Sequence, residues 1–410
     1  MQPKSLSIKL LLLVIVVLNS NLIQAQTFAV IADKLVDPKN EKIHNNPIII
    51  VHRNKIVDVR FGGPVPDSAV VINLKGFTLL PGLMDMHTHV FHSAKVYEDD
   101  LYQNSSAYRA LRATRYLSIA LLNGFTTIRD LGTEGAGYAD IDLRRAVDSG
   151  FIIGPRIFAS GRSIAATDSY KPRPRLQNWE LSLPNGTQYV SGRDECIKAA
   201  REQANKLVDW IKLYSDWANY PTFNLDEITA VVEEAKKFDV PVAAHAKSKT
   251  GIRNSIIAGV RSIEHGEEFD DSLIQMAVKK GVFWSPTITW EEYYGRISPN
   301  KYTILKKAYQ AKLKIVCGTD AGSFPWTING AKELEYYVKK AGIPPMDAIK
   351  TATVNAAELL GKEKELGLIE KGFFADIIAV KGNPLEDITL LQQVAFVMKD
   401  GKIYKRPLSE

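Results

Sequence analysis

The chain is 410 residues long, with 45% apolar, 24% charged and 9% aromatic residues. These are ordinary globular values, which exclude a disordered polymer, a collagen and a disulfide-dense miniprotein. At about 100–200 residues per domain, the length implies two domains or one large barrel with an appendage. The 52 Lys and Arg against 46 Asp and Glu leave a formal charge of only +6. No basic stripe interleaved with aromatics accompanies it, so nucleic acid is not an expected partner.

Residues 1–25 read as an address. Lys4 and Lys9 make a basic leader, 10–18 is an unbroken apolar run, Asn19-Ser20-Asn21 ends it, and Ala25 offers a small residue for cleavage. The run falls short of the ~20 residues that span a bilayer. The expectation is a secretory signal peptide, a secreted or periplasmic protein, and no membrane span in the mature form. Residues 26–80 then read as short strands (27–32, 47–53, 55–61 and 69–74) with turn signals at Arg53-Asn54 and Gly62-Gly63-Pro64.

Beyond residue 80 short apolar runs alternate with amphipathic helices. Strands are predicted over 79–84, 125–131, 156–160, 210–214, 241–245, 260–265, 282–285 and 314–319. Between them, Asn224 with Glu227 forms a capping box, and Ser191 with Asp194 opens another helix. Eight such units match a (β/α)8 TIM-type barrel over 81–366, with a doubly wound open sheet as the alternative. From about Gly367 strand character returns (375–380, 394–399 and 402–404). The fold class expected is therefore α/β: a barrel plus a small β-sandwich domain formed from both termini, 26–80 with 367–410. No dinucleotide fingerprint, P-loop or G-x-S-x-G element is present. The two cysteines, Cys196 in a helix and Cys317 in a strand, read as unpaired core thiols. One connection, 162–191 after the third strand, is disproportionately long, as loops on the active face of a barrel often are.

Four of the seven histidines fall at or near the predicted C-terminal strand ends. His87-Thr88-His89 closes the first strand, and residues i and i+2 of a strand point the same way, so both imidazoles could grip one ion. His245 closes the fifth strand and His265 the sixth. Asp320 ends the eighth, where a buried carboxylate needs a charge partner such as a metal. Lys212 lies in the fourth strand between Trp210 and Tyr214. Its alternatives are a lysine snorkelling to the strand end and a lysine carbamylated by carbon dioxide, whose anionic head can bridge two cations. His92 reads as a surface-loop residue or as a support behind the site, and Arg129-Asp130 as a structural ion pair.

These residues carry a resemblance. Pro81-Gly82-Leu83-Met84-Asp85-Met86-His87-Thr88-His89, Gly124-Phe125-Thr126-Thr127-Ile128-Arg129-Asp130, Ser262-Ile263-Glu264-His265-Gly266, Gly318-Thr319-Asp320-Ala321-Gly322 and Gly372-Phe373-Phe374-Ala375-Asp376 resemble the metal-dependent amidohydrolase superfamily, in its imidazolonepropionase-like and prolidase-like branch. The resemblance implies two divalent ions, expected to be zinc. His87, His89 and Asp320 would hold one, His245 and His265 the other, with carbamylated Lys212 as bridge. It further implies metal-bridged hydroxide attack on an amide (C–N) bond, with Asp320 as proton carrier.

The chain departs from the branch at 165–170, where relatives carry a loop histidine, and at Lys247, where they often carry tyrosine or histidine. The expected substrate is a small molecule such as a dipeptide or N-acyl amino acid. Arg162, Lys171, Arg173, Arg175, Lys247 and Tyr214 are the candidates to contact it, the cations through a carboxylate. A lactonase or phosphotriesterase with the same site and a non-catalytic binding barrel are the other readings. The sequence leaves a homo-oligomer open.

Overall fold

The computed structural model of the chain describes residues 26–93, 97–169, 186–217 and 220–407. The expected signal peptide, and Lys171, Arg173 and Arg175 of the long loop, lie outside the described residues. Among the described residues no helix is long and apolar enough to cross a membrane.

The two ends of the chain build one eight-stranded sheet. Thr27–Asp37 pairs in parallel with Val70–Pro81 (Val30 opposite Ile72, Leu35 opposite Leu79) and antiparallel with Pro47–His52. Ile377–Lys381 joins the other edge of Val70–Pro81, with Ile377 opposite Pro81 and Ala379 opposite Leu79. Val30, Ile49, Val51, Leu74, Ile377 and Phe396 pack into a core of this sheet's own.

The barrel begins two residues after that sheet strand ends. Its strands are Leu83–Thr88, Phe125–Asp130, Arg156–Ala159, Ile211–Tyr214, Val242–Ala246, Ser262–His265, Phe283–Ser285 and Lys314–Ile315. All barrel pairings are parallel. The third strand is interrupted by a short jog and resumes at Ser163–Ala166, which pairs with the fourth through Leu213 opposite Ile164. The ring closes between eighth and first strands through Met86 N–H to the Cys317 carbonyl, 2.8 Å, and Asp320 N–H to the His87 carbonyl, 2.8 Å.

Met84, Met86, Trp210, Ala243, Phe283 and Val316, from five of the strands or their ends, form one apolar cluster that fills the barrel. Outside it, helix positions such as Leu117, Leu121, Ile228, Val231, Ile252, Ile256, Leu273 and Ala277 pack back onto the strands. The helix Leu225–Lys236 carries the predicted capping box at Asn224 and Glu227. The helix Gly192–Asn205 does not: the Ser191 hydroxyl is turned 2.6 Å toward Thr167 Oγ1, while the Ser191 N–H goes to Glu195 Oε2 at 2.6 Å. Cys196 and Cys317 are free and buried.

Candidate active site

His87, His89, Lys212, His245, His265 and Asp320 are all buried and meet on the C-terminal side of the barrel, Asp320 five residues past the end of the eighth strand. His87 Nε2 lies 3.4 Å from Lys212 Nζ and 3.8 Å from Asp320 Oδ1, and His89 Nε2 lies 3.4 Å from the same Asp320 oxygen. The His87 ring centroid is 5.3 Å from that of His89 and 5.0 Å from that of His265, and His265 is 4.5 Å from His245. Ligand atoms of His87, His265 and Asp320 all lie within 4.8 Å of one another. Register explains the meeting of fifth and sixth strands, since Ala246 is paired with His265 and Tyr214 with His245. Between first and second strands the pairing shifts between Asp85 and Thr88, a bulge that re-aims side chains.

The second nitrogen of each ring decides what the first can do. His87 Nδ1 faces Glu264 Oε2 at 2.9 Å, and His89 Nδ1 faces the Gly132 carbonyl at 3.2 Å. A carboxylate held ionised and a carbonyl can only accept, so both rings carry their proton on Nδ1 and present a bare Nε2. Glu264 is ionised because Arg129 Nη2 sits 2.8 Å from its Oε1; burial pushes its carboxyl upward, but Arg129 and His87 outweigh it and hold it at about 2. Among the described residues His245 Nε2 is buried without a hydrogen-bond partner, and an Asp216 oxygen stands 3.8 Å away. A bare imidazole nitrogen in a buried polar cluster is what a metal ion satisfies.

Burial, with Lys212 beside it, pushes His87 down to about 3, and burial holds His89, His245 and His265 well below the ordinary histidine range. The four rings are thus neutral, the form that ligates. Burial also lowers Lys212, to about 8, and raises Asp320, to about 7. The donor set of imidazoles and a carboxylate fits a divalent metal ion.

Sequence reasoning missed three supports. Glu264 was visible only as a strand residue, yet it orients His87. Asp85 accepts from the His87 and Thr319 N–H groups and from the Thr319 hydroxyl, at 3.1, 3.0 and 2.6 Å, and so ties first strand to eighth. Gly322, at φ +107°, brings the loop so close that a Cβ would sit 2.1 Å from the His89 carbonyl oxygen; only glycine permits that approach.

One expectation is corrected and one open reading is decided. Arg129 pairs with Glu264 and not with Asp130, whose Oδ1 instead accepts from the Val90 N–H at 2.7 Å. Adjacent residues of a strand face opposite ways, so the two could not share a face. His92 is not a solvated loop residue: it is partly buried, with Nδ1 3.3 Å from Ser323 Oγ, and that hydroxyl donates to Asp320 Oδ1 at 2.9 Å.

Of the substrate candidates, Tyr214 lies tilted against His245 with ring centroids 4.9 Å apart, and Trp217, not foreseen, lies 5.6 Å from the same ring. Lys247 Nζ lies 2.6 Å from Glu267 Oε1 and 4.7 Å from the centre of the Trp290 ring, and its charge reaches His245, His265 and Asp320. Arg162 stands at the jog of the third strand, with Nη2 3.5 Å from the Thr187 carbonyl.

A closed barrel that gathers neutral imidazoles, a carboxylate and a buried lysine at its C-terminal mouth defines a metal-dependent barrel hydrolase. Comparison with known proteins makes this specific. A family model described as the amidohydrolase family matches residues 78–404. Ochratoxinase of Aspergillus niger is 30% identical over 375 residues, covering 80% of this chain and 76% of its own. A crystal structure of a Xaa-Pro dipeptidase with methionine in its active site superimposes with a TM-score of 0.84 at 33% identity, covering 93% of this chain and 100% of that one. A prolidase complexed with N-methylphosphonate-L-proline gives a TM-score of 0.81 at 26% identity, with 93% and 100% covered. The chain belongs to the amidohydrolase family, metal-dependent hydrolases acting on carbon–nitrogen bonds.

Proposed function

We propose that the protein is an exported hydrolase with a binuclear metal centre, cleaving the amide bond of a dipeptide or N-acyl amino acid. One observation carries the metal centre: His87 and His89 are each locked by an acceptor on Nδ1 so that Nε2 is bare and turned toward Asp320. His87, His89, His245, His265 and Asp320 would hold two divalent ions, zinc by the character of the donors, with carbamylated Lys212 between them. When bound, such ions polarise a carbonyl and lower the pKa of water.

The chain's own residues do the rest. The Asp320 carboxylate would take the proton that the attacking water gives up as its oxygen bonds to the carbonyl carbon, and pass it to the nitrogen as the C–N bond breaks. Its Oδ1 is steadied by Ser323, and Glu264 and Gly132 fix the ring planes. Tyr214 and Trp217 flank His245 with their rings. The relatives support an amide: a Xaa-Pro dipeptidase and a prolidase are among the similar structures. The basic leader and apolar run at 10–18 support export, which N-terminal sequencing of protein recovered outside the cytoplasm checks; a start at Met1 there would count against it.

Purified enzyme assayed against dipeptides and N-acyl amino acids, before and after chelator dialysis, tests the reading. Turnover of at least one such amide, lost on chelation and restored by zinc, is expected. Turnover confined to lactones or phosphotriesters would overturn it. Of the described substrate candidates, Lys247 is a cation whose charge reaches His245, His265 and Asp320, so amidating the substrate carboxylate should cost about 1.5 kcal/mol, roughly tenfold in kcat/KM. That loss should shrink in Lys247→Met. Equal turnover of free-acid and amidated substrates by the unmodified enzyme would remove the carboxylate.

A further inference from the structure

Resting on the metal-centre reading, we propose that Thr287 and Lys301 are positioning residues for His265: Thr287 sets its tautomer and Lys301 clamps its backbone. His265 ends the sixth strand at φ +72°, a left-handed conformation that costs a non-glycine residue energy unless its surroundings impose it. Two donors impose it. The His265 carbonyl accepts from Trp284 Nε1 at 2.9 Å and from Lys301 Nζ at 2.8 Å. Gly266, next in the chain, makes room for this, since a Cβ there would stand 2.5 Å from Trp284 Nε1.

Lys301 is an expensive choice for mere packing. It is fully buried, and it opens the ten-residue helix Lys301–Gln310, where the helix dipole disfavours a cation. Its charge is matched by Glu291, 2.5 Å away and equally buried. An apolar side chain would fill the same space without either cost. What the ammonium adds is a fixed donor on the His265 carbonyl.

The ring is held from the other side. His265 Nδ1 lies 2.8 Å from Thr287 Oγ1, and that hydroxyl donates to the Pro286 carbonyl at 2.8 Å. A hydroxyl has one proton to give. With it directed at Pro286, Thr287 can only accept from His265, which places the imidazole proton on Nδ1 and leaves Nε2 bare, the arrangement His87 and His89 reach with Glu264 and Gly132. Thr287 itself sits at φ +54°. It is pinned there by Glu333, whose carboxylate accepts from the Ile288 and Thr289 N–H groups at 2.9 and 2.7 Å. Residues outside the ligand set thus hold His265 at ring and backbone alike.

The test reads metal binding rather than turnover. Full-length Thr287→Val, Thr287→Ser, the double variant Lys301→Met/Glu291→Gln (which leaves no unpaired buried charge) and a His265→Asn control are stripped and titrated with zinc against a chromophoric chelator. Thermal unfolding of the stripped proteins reports folding. Thr287→Val should bind one zinc equivalent about 10–100-fold more weakly than the parent, the usual cost of losing a partner behind a ligand. Thr287→Ser should return to within threefold, and the double variant should weaken the same equivalent. His265→Asn should lose that equivalent outright. If His265→Asn keeps both ions at parental affinity, the metal-centre reading fails. If it loses one while Thr287→Val binds like the parent, the positioning role is overturned. Should the double variant not fold, the Val and Ser pair decides.

Discussion

Lys212→Ala is expected to lose most activity and most of one metal equivalent, with partial rescue by bicarbonate or a short carboxylic acid. The reason is electrostatic. Lys212 Nζ is buried 3.4 Å from the His87 Nε2 that faces Asp320. A protonated amine there would repel any cation the imidazoles hold. Burial lowers its pKa to about 8, which raises the fraction of free amine able to take up carbon dioxide. The resulting carbamate is an anion with two oxygens. In the alanine variant the anion disappears and a small carboxylic acid can diffuse into the space. Metal content by elemental analysis, with turnover in rising formate or bicarbonate, checks this. Unchanged metal and turnover would show that Lys212 is only a packed strand residue.

Asp320→Asn should lower kcat by two or more orders of magnitude, on the scale of ~10²–10⁴ for general acid–base catalysis, and leave folding nearly intact. The substitution is well suited to the site. Asp320 stands at φ +66°, and asparagine tolerates the left-handed region better than other side chains. Its N–H would still reach the His87 carbonyl, and an amide oxygen would still accept from Ser323. What is lost is the ability to carry a proton. Stopped-flow or steady-state rates beside a thermal melt separate the effects; a variant within threefold of the parent would end the proton-carrier role.

Much of this arrangement is legible in the chain because barrels write their active sites in a regular way. Short apolar runs spaced by helical stretches announce the strands, and His87, His89, His245, His265 and Asp320 stand at or just past strand ends, where a periodic pattern stops. The supports are another matter. Glu264 looks like a charged residue inside a strand, and nothing local says that it meets His87 across the barrel. Thr287 and Lys301 act through a left-handed backbone and a helix start that only tertiary packing brings to His265. The Arg129 error was avoidable, since strand alternation already forbids a pair with Asp130. His92 stayed open between two readings because its partner Ser323, which follows the eighth strand, is 231 residues away in the chain.

The shared sheet has a consequence for how the protein is made. Val70–Pro81, which leads into His87 after only a few residues, has as its neighbour on one side Ile377–Lys381. A ribosome releases the N-terminal strands long before those residues exist, and until then the lead-in to the first ligands has an open edge. Pairing across so long a stretch of chain is slow to form. The edge of the strand that leads into the first two histidines is therefore completed only once Ile377–Lys381 has been made. A chain ended between Asp320 and Ile377 would retain all six clustered residues and still leave open one edge of the strand that leads into the first two.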